Sequence, residues 1–229
     1  MIQKQRKLYN ENFTEEKYQL FLDDITNANN HVPKFKIAET PVFIPKDLKT
    51  KLVAACNDIM EVINQPNFKE LTDGAFFTED RVVPNEDENS KFIQLDFGIC
   101  KDKNGDLVPK LIELQGFPSL YFFQELLGRM YRKHFGNTIP ENYSQHINGM
   151  TPKDYIALLC QEIVGDTNPK QVILLEIEPE KQATAIDFYA TEKALGIKVL
   201  CISNLIKKGK ELFYIDEEGK EIKILKIYN

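Results

Sequence analysis

No apolar run in the chain approaches the roughly 20 residues that a membrane-spanning helix requires. The opening stretch, MIQKQRKLYNENFTEEK, lacks an apolar h-region, which argues against a secretion signal. Basic residues are not in excess: 29 Lys and Arg stand against 35 Asp and Glu, a formal charge of −6, with the signs interleaved. A protein that grips nucleic-acid backbone or an anionic membrane surface needs a basic face, so neither partner is expected. The four cysteines, Cys56, Cys100, Cys160 and Cys201, form no CxxC and have no histidine beside them. Structural zinc and a disulfide framework are therefore not expected, and reduced thiols in a cytoplasmic protein fit better. There is no GxxxxGK[ST] and no GxGxxG. His31, His134 and His146 are scattered, so no Ser-His-Asp arrangement can be argued, and no internal repeat or low-complexity tract is present.

What is present reads as an α/β protein: a mixed sheet with a β-hairpin, flanking helices and a small βαβ subdomain. A length of 229 residues allows one large domain or two small ones. Residues 1–90 read as a helical region. It contains a helix over 14–28 capped by Thr14, a short extended PVFIP at 41–45, and a helix over 47–63 capped by Asp47. Residues 73–91 are loop-like and end in the acidic PNEDENS. Residues 91–150 carry a hairpin, a helix over 118–135 with Pro118 in its first turn, and a Gly/Asn/Pro-rich connector. Residues 151–229 begin with a helix over 151–165, capped by Thr151 with Asp154 three residues on. A parallel βαβ unit and a hairpin turning near Glu218-Gly219 follow.

The informative stretch is KFIQLDFGICKDKNGDLVPKLIELQGFP, residues 91–118. Asn104-Gly105 is a favoured pair for a two-residue type I′ turn, whose central residues both need φ > 0. That turn pairs Lys103 with Asp106, so Asp96 faces Glu113 and Gln94 faces Gln115. The other face then collects Ile93, Leu95, Phe97 and Ile99 with Val108, Ile112 and Leu114, Lys110 being the exception. Opposed Cβ atoms lie about 4.5–5.5 Å apart, so the two carboxylates repel. A divalent cation held by carboxylate and carboxamide oxygens relieves this, as does a nearby Lys or Arg, or a shared proton. The plainer reading is a solvated face on which the acids cost little. Phe92 and Phe117 flank the polar patch, and Leu111 and Gly98 continue it. Gly116-Phe117-Pro118 turns the chain into a helix whose first N–H groups offer a cradle for phosphate or carboxylate.

The same stretch, QLDFGICKDKNGDLVPKLIELQGFP, resembles the metal-binding hairpin of the glutathionylspermidine synthase-like ligases, members of the ATP-grasp superfamily with a rearranged element order. The resemblance implies ATP-dependent joining of a carboxylate to an amine, with Mg²⁺ and ATP as cofactors and small-molecule substrates. In that family an Arg-x-Asp strand, a turn and a Glu-x-Asn strand run into a Pro-containing loop. Its Asp, Glu and Asn hold Mg²⁺ under the nucleotide phosphates, and its Arg contacts phosphate. Asp96 matches the Asp, Glu113 the Glu and Gln115 the Asn; Gln94 stands where the Arg would be, and Ser119 would line the anion cradle. Gln115 adds a methylene, and Gln94 removes a cation. The 151–229 region resembles the small pre-ATP-grasp, Rossmann-like subdomain that follows the motif. The family's nucleotide-gripping lysines lie downstream of a strand like EIKILKIYN. The chain is therefore expected to be the truncated front part of a longer protein and, alone, a poor binder of ATP. The alternative is a non-catalytic small-ligand or protein-interaction domain on the same scaffold. A metal-dependent hydrolase ranks last, for want of further acidic or histidine ligands.

Other candidates carry less. Glu178, with Glu176 and Glu180, follows the first strand of the βαβ unit, where open α/β sheets bind ligands, and is placed to touch a substrate amine. The plainer reading is that these acids favour the start of the next helix through its dipole. Ser119 and Tyr121 also suit capping and packing. Lys207, Lys208 and Lys210 read as a solvated turn, and Phe122-Phe123 as core.

Overall fold

The structure is a computed structural model that describes residues 2–75, 84–85, 87, 90–116 and 119–229. The described elements run α1 (Gln3–Glu11), α2 (Glu15–Asn29), α3 (Lys46–Ile63), α4 (Phe68–Thr72), β1 (Gln94–Lys101), β2 (Leu107–Gln115) and α5 (Tyr121–Phe135). They continue with α6 (Pro152–Ile163), β3 (Val172–Glu176), α7 (Ala185–Leu195), β4 (Lys198–Cys201), β5 (Ile206–Lys208), β6 (Glu211–Ile215), β7 (Glu221–Ile224) and β8 (Lys226–Tyr228). The chain is mixed α/β, but among the described residues its strands form three separate small sheets rather than the one mixed sheet expected. No helix among the described residues is long and apolar enough to cross a membrane.

Contacts group the chain into two units. One is Met1–Ile2 with Phe43–Pro118; the other is Gln3–Val42 with Ser119–Asn229. The first holds α3, α4 and the β1–β2 hairpin. Helix α3 follows Pro45, which has extended backbone and offers no side-chain cap; Asp47 lies in the first turn instead of capping it. Its inward side is marked by Leu48, only 2% exposed, and Lys51 Nζ donates to the β2 carbonyl of Leu107 at 2.8 Å. The PVFIP stretch forms no strand among the described residues, and its Phe43 carbonyl accepts from Ile2 N at 2.9 Å. Residues 76–83, 86, 88 and 89 of the loop-like segment, and Phe117 and Pro118, lie outside the described residues.

The second unit is built on α1, α2, α5 and α7 and the two remaining sheets. Thr14 caps α2 as expected, accepting from Lys17 N at 3.2 Å, and Asn30 closes the helix in left-handed backbone. Helix α1, which the sequence reading passed over, brings Tyr9 against Phe135 of α5, with ring centroids 4.9 Å apart. Phe21 of α2 meets Tyr131 of α5 at 4.7 Å. Each such fully buried large side chain contributes about 1.5–3 kcal/mol. The hydroxyls of Tyr9, Tyr18 and Tyr131 donate to the carbonyls of Glu39, Ile37 and Ala38 in turn. They give the strandless stretch 37–39 the hydrogen bonds that its backbone would otherwise lack. Burial pushes the Tyr9 hydroxyl far above its usual range and that of Tyr131 up to about 12, so both remain donors.

Strand β3 is central in a parallel sheet of order β4-β3-β8. The βαβ unit is present, although its helix begins at Ala185, after a 3-10 turn at Pro179–Lys181. Helix α6 carries the full capping box: Thr151 accepts from Asp154 N, and Asp154 accepts from Thr151 N. The closing hairpin is β6–β7, with Gly219 at φ 80 in its turn. Two strands depart from expectation. Lys207 and Lys208 lie in β5, which pairs with β6, and β8 leaves the hairpin to run parallel to β3. The antiparallel sheet packs on the parallel one through Tyr214 and Ile224 against Ile173 and Leu200.

Candidate functional site

The hairpin brings Asp96 directly opposite Glu113 and Gln94 opposite Gln115, the facing that the sequence predicts. The route to it differs. Asp102 N donates to Asp106 O at 2.9 Å and Gly105 N to Asp102 O at 3.0 Å, so the loop has three residues, 103–105. Only Gly105, at φ 86, needs left-handed backbone; Asn104 has negative φ, so the turn is not type I′. Asp102 imposes this loop, its Oδ1 accepting from Asn104 N at 2.8 Å and Asp106 N at 2.9 Å. The one-residue offset is undone by a β-bulge between Asp96 and Phe97, which leaves Ile112 unpaired.

The bulge redistributes the faces. Beyond it, Phe97 pairs with Leu111 and Gly98 with Lys110, where the simple register paired Phe97 with Ile112. Lys110 therefore leaves the apolar face and joins Asp96 and Glu113 on theirs. Leu111 moves the other way, to the side of Leu95, Phe97 and Leu114. Ile112 lies against Gly98, where a Cβ would meet its Cδ1 at 3.4 Å, and is 72% exposed. The apolar face is only half covered: Ile99, Leu111 and Leu114 remain 43–48% exposed.

Asp96 is half-buried and Glu113 exposed. Both carboxamides turn their nitrogens toward Asp96: Gln94 Nε2 donates to Oδ1 at 3.0 Å and Gln115 Nε2 to Oδ2 at 3.4 Å. The Glu113 side chain has no hydrogen-bond partner among the described residues. Two charges about 4 Å apart in water repel by roughly 1 kcal/mol, and less when further apart. Two amide donors and Lys110 on the same face offset a repulsion of that size. The site is thus self-consistent without a cation. A cation would need Gln115 to turn its amide over and present oxygen. The donor set itself, two carboxylates and a carboxamide, is of the hard-oxygen kind that Mg²⁺ takes. No group of three or more His, Cys, Asp or Glu able to hold a metal is present among the described residues.

Ser119 and Glu178 belong to the other unit. The helix start expected beside Ser119 is a correction. Helix α5 begins at Tyr121, after Leu120 in left-handed backbone at φ 71, and its first N–H groups are not free. Leu120 N and Phe123 N donate to the two oxygens of Asp187, at 3.1 and 2.7 Å. Asp187, on α7, is 2% exposed and occupies the place an external anion would take. Burial pushes its carboxyl up to about 6, the backbone donors acting the other way. The sequence reading missed this residue; the signal was an isolated acid inside the apolar run AIDFYA.

Glu178 is in left-handed backbone at φ 48, before the 3-10 turn rather than in the first turn of α7, and its side chain pairs with Lys181. Its backbone N–H instead reaches Cys201 Sγ at 3.4 Å, across the carboxyl ends of β3 and β4. Ser203 Oγ donates to the same sulfur at 3.0 Å, and these donors hold the thiol below its usual range. Phe122 and Phe123 are core, as read.

Comparison with protein-family models, with curated proteins and with solved structures returns no match.

Proposed function

We propose that the hairpin is the cation-holding element of an ATP-dependent carboxylate–amine ligase of ATP-grasp type. One observation carries this reading: Asp96 opposes Glu113, with Gln94 and Gln115 on the same face. In such a site Asp96, Glu113 and Gln115 would hold Mg²⁺, and Gln94 would lie beside the phosphates. Bound there, the cation would neutralise charge on the transferred phosphoryl group as an acyl phosphate forms. The residues' part is positional. Asp96 is steadied by its amide neighbours, Glu113 is free to turn inward, and the bulge keeps Lys110 on the face where an anion would approach.

A second reading has its own support: a non-catalytic domain on the same scaffold. Asp96 is already satisfied by two carboxamides, and Asp187 fills the helix start that would have cradled phosphate. Electron paramagnetic resonance of Mn²⁺, titrated into the 229-residue chain with and without ATP, separates the two. The ligase reading expects bound Mn²⁺ that is lost in Glu113→Gln while the melting temperature is unchanged. Mn²⁺ binding unaltered by Glu113→Gln, or no Mn²⁺ binding in the absence of ATP, selects the second reading.

A further inference from the structure

We propose that a cleft between α2, α5 and α7 binds a small zwitterion, of free amino-acid or dipeptide size. The cleft has a volume of about 490 Å³ and lies wholly within the second unit. Ligand pockets commonly span about 300–1,000 Å³. Four charged residues line it, Asp24 from α2, Glu125 and Arg129 from α5 and Lys193 from α7, so the wall carries two charges of each sign.

Two of the four are committed elsewhere. Asp24 Oδ2 accepts from Lys133 at 2.6 Å and contacts His134 Nε2 at 2.6 Å. Lys193 Nζ donates to the Ala28 carbonyl, also at 2.6 Å, closing the end of α2. The Glu125–Arg129 pair is different. It is joined by a single contact, Arg129 Nε to Glu125 Oε1 at 3.3 Å. Glu125 Oε2 and both Arg129 Nη atoms have no partner among the described residues. The two ends also differ in burial: the Glu125 side chain is 10% exposed, the Arg129 side chain 55%.

An exposed ion pair one helical turn apart needs no explanation. The Glu125 carboxylate lines the cleft and is not wholly shut off from water, so its second oxygen stays within reach of a ligand. The open valences define what would complete it. Glu125 Oε2 calls for a cationic donor, and the paired Nη groups present the planar fork that receives a carboxylate. An anion alone would be repelled by Glu125, and a cation alone by Arg129. A molecule carrying both an ammonium and a carboxylate satisfies each and preserves the cleft's neutrality. Ile156, Met130 and Ala194 supply an apolar wall for a short aliphatic side chain.

The proposal is independent of the hairpin reading, since Asp96, Glu113 and Gln115 take no part. Calorimetric titration of the full chain with L-leucine and with glycyl-L-leucine tests it, beside N-acetyl-leucine and leucinamide, which each lack one charge. At least one zwitterion is expected to bind saturably and its blocked counterpart at least tenfold more weakly. Ala194→Trp, an exposed position on the cleft's edge, should abolish binding without changing the melting temperature. Leucine-induced amide shifts in the wild-type spectrum should fall on residues of α2, α5 and α7 and spare 94–115. Failure of both zwitterions to saturate, equal binding of the blocked forms, unaltered binding in Ala194→Trp, or shifts on the hairpin would each overturn it.

Discussion

Replacing Asp187 by Asn tests whether a buried carboxylate holds the start of α5. The side chain is 2% exposed, and its carboxyl is raised from 3.8 to about 6 by burial. A folded-state value above the unfolded one means that the native state favours the proton. The associated stability is complete below about pH 4, declines as pH rises, and is lost once pH has passed the folded value near 6. The shift is close to two units, and each unit is worth about 1.4 kcal/mol, so the loss amounts to about 3 kcal/mol. Asn keeps one acceptor for the N–H groups of Leu120 and Phe123 and does not titrate. Urea unfolding followed by circular dichroism, on both proteins at pH 4 and pH 7.5, isolates the term, because other titrating groups cancel in the difference. The wild type should lose about 2.5 kcal/mol relative to Asp187→Asn across that interval, the rest of the loss lying below pH 4. A difference that stays constant within about 0.5 kcal/mol would refute the reasoning, as would one that changes in the opposite sense.

Ile173→Ala removes a fully buried side chain where the two three-stranded sheets meet and should cost about 2–5 kcal/mol in urea unfolding. Thr151→Ala breaks the capping box of α6 and should cost about 1 kcal/mol by the same assay. Hydrogen bonds from Thr151 hold the Asp154 carboxyl below its usual value. The cap's contribution should therefore persist above the ordinary carboxylate range and fade as acidification passes the lowered one. The wild-type advantage over Thr151→Ala should shrink in strong acid.

The elements that were legible in the sequence are those whose signals are local. Thr14 and Thr151 announced their helices, and the apolar runs around Val172 and Val199 announced a parallel pair. The facing of Asp96 and Glu113 was legible for a reason the simple register did not contain. The loop is one residue longer than Asn104-Gly105 implied, and the bulge at Ile112 restores the offset. Asp102 was the local clue to the longer loop, since its side chain competes for the turn's N–H groups. No local clue marked the bulge, whose effect is to transfer Lys110 to the acidic face. Nonlocal partners were illegible. Asp187 reaches α5 across 64 residues of sequence to Phe123, and β8 finds β3 rather than its neighbour in the chain. The start of α5 was misplaced for the same reason, because the helix is capped from α7 and not by residues beside it.

The placement of β8 has a consequence for the order of assembly. Strand β3 is complete at Glu176, yet one of its two edges stays bare until residues 226–228 exist. Between them the chain lays down β4 and then the compact β5-β6-β7 meander, whose pairings all close over short distances. On a translating ribosome the meander can therefore mature while its parallel neighbour still waits for a third member. That interval leaves a bare ribbon edge exposed to any passing extended peptide, so helper proteins that shield nascent strands would matter most until residues 226–228 have emerged.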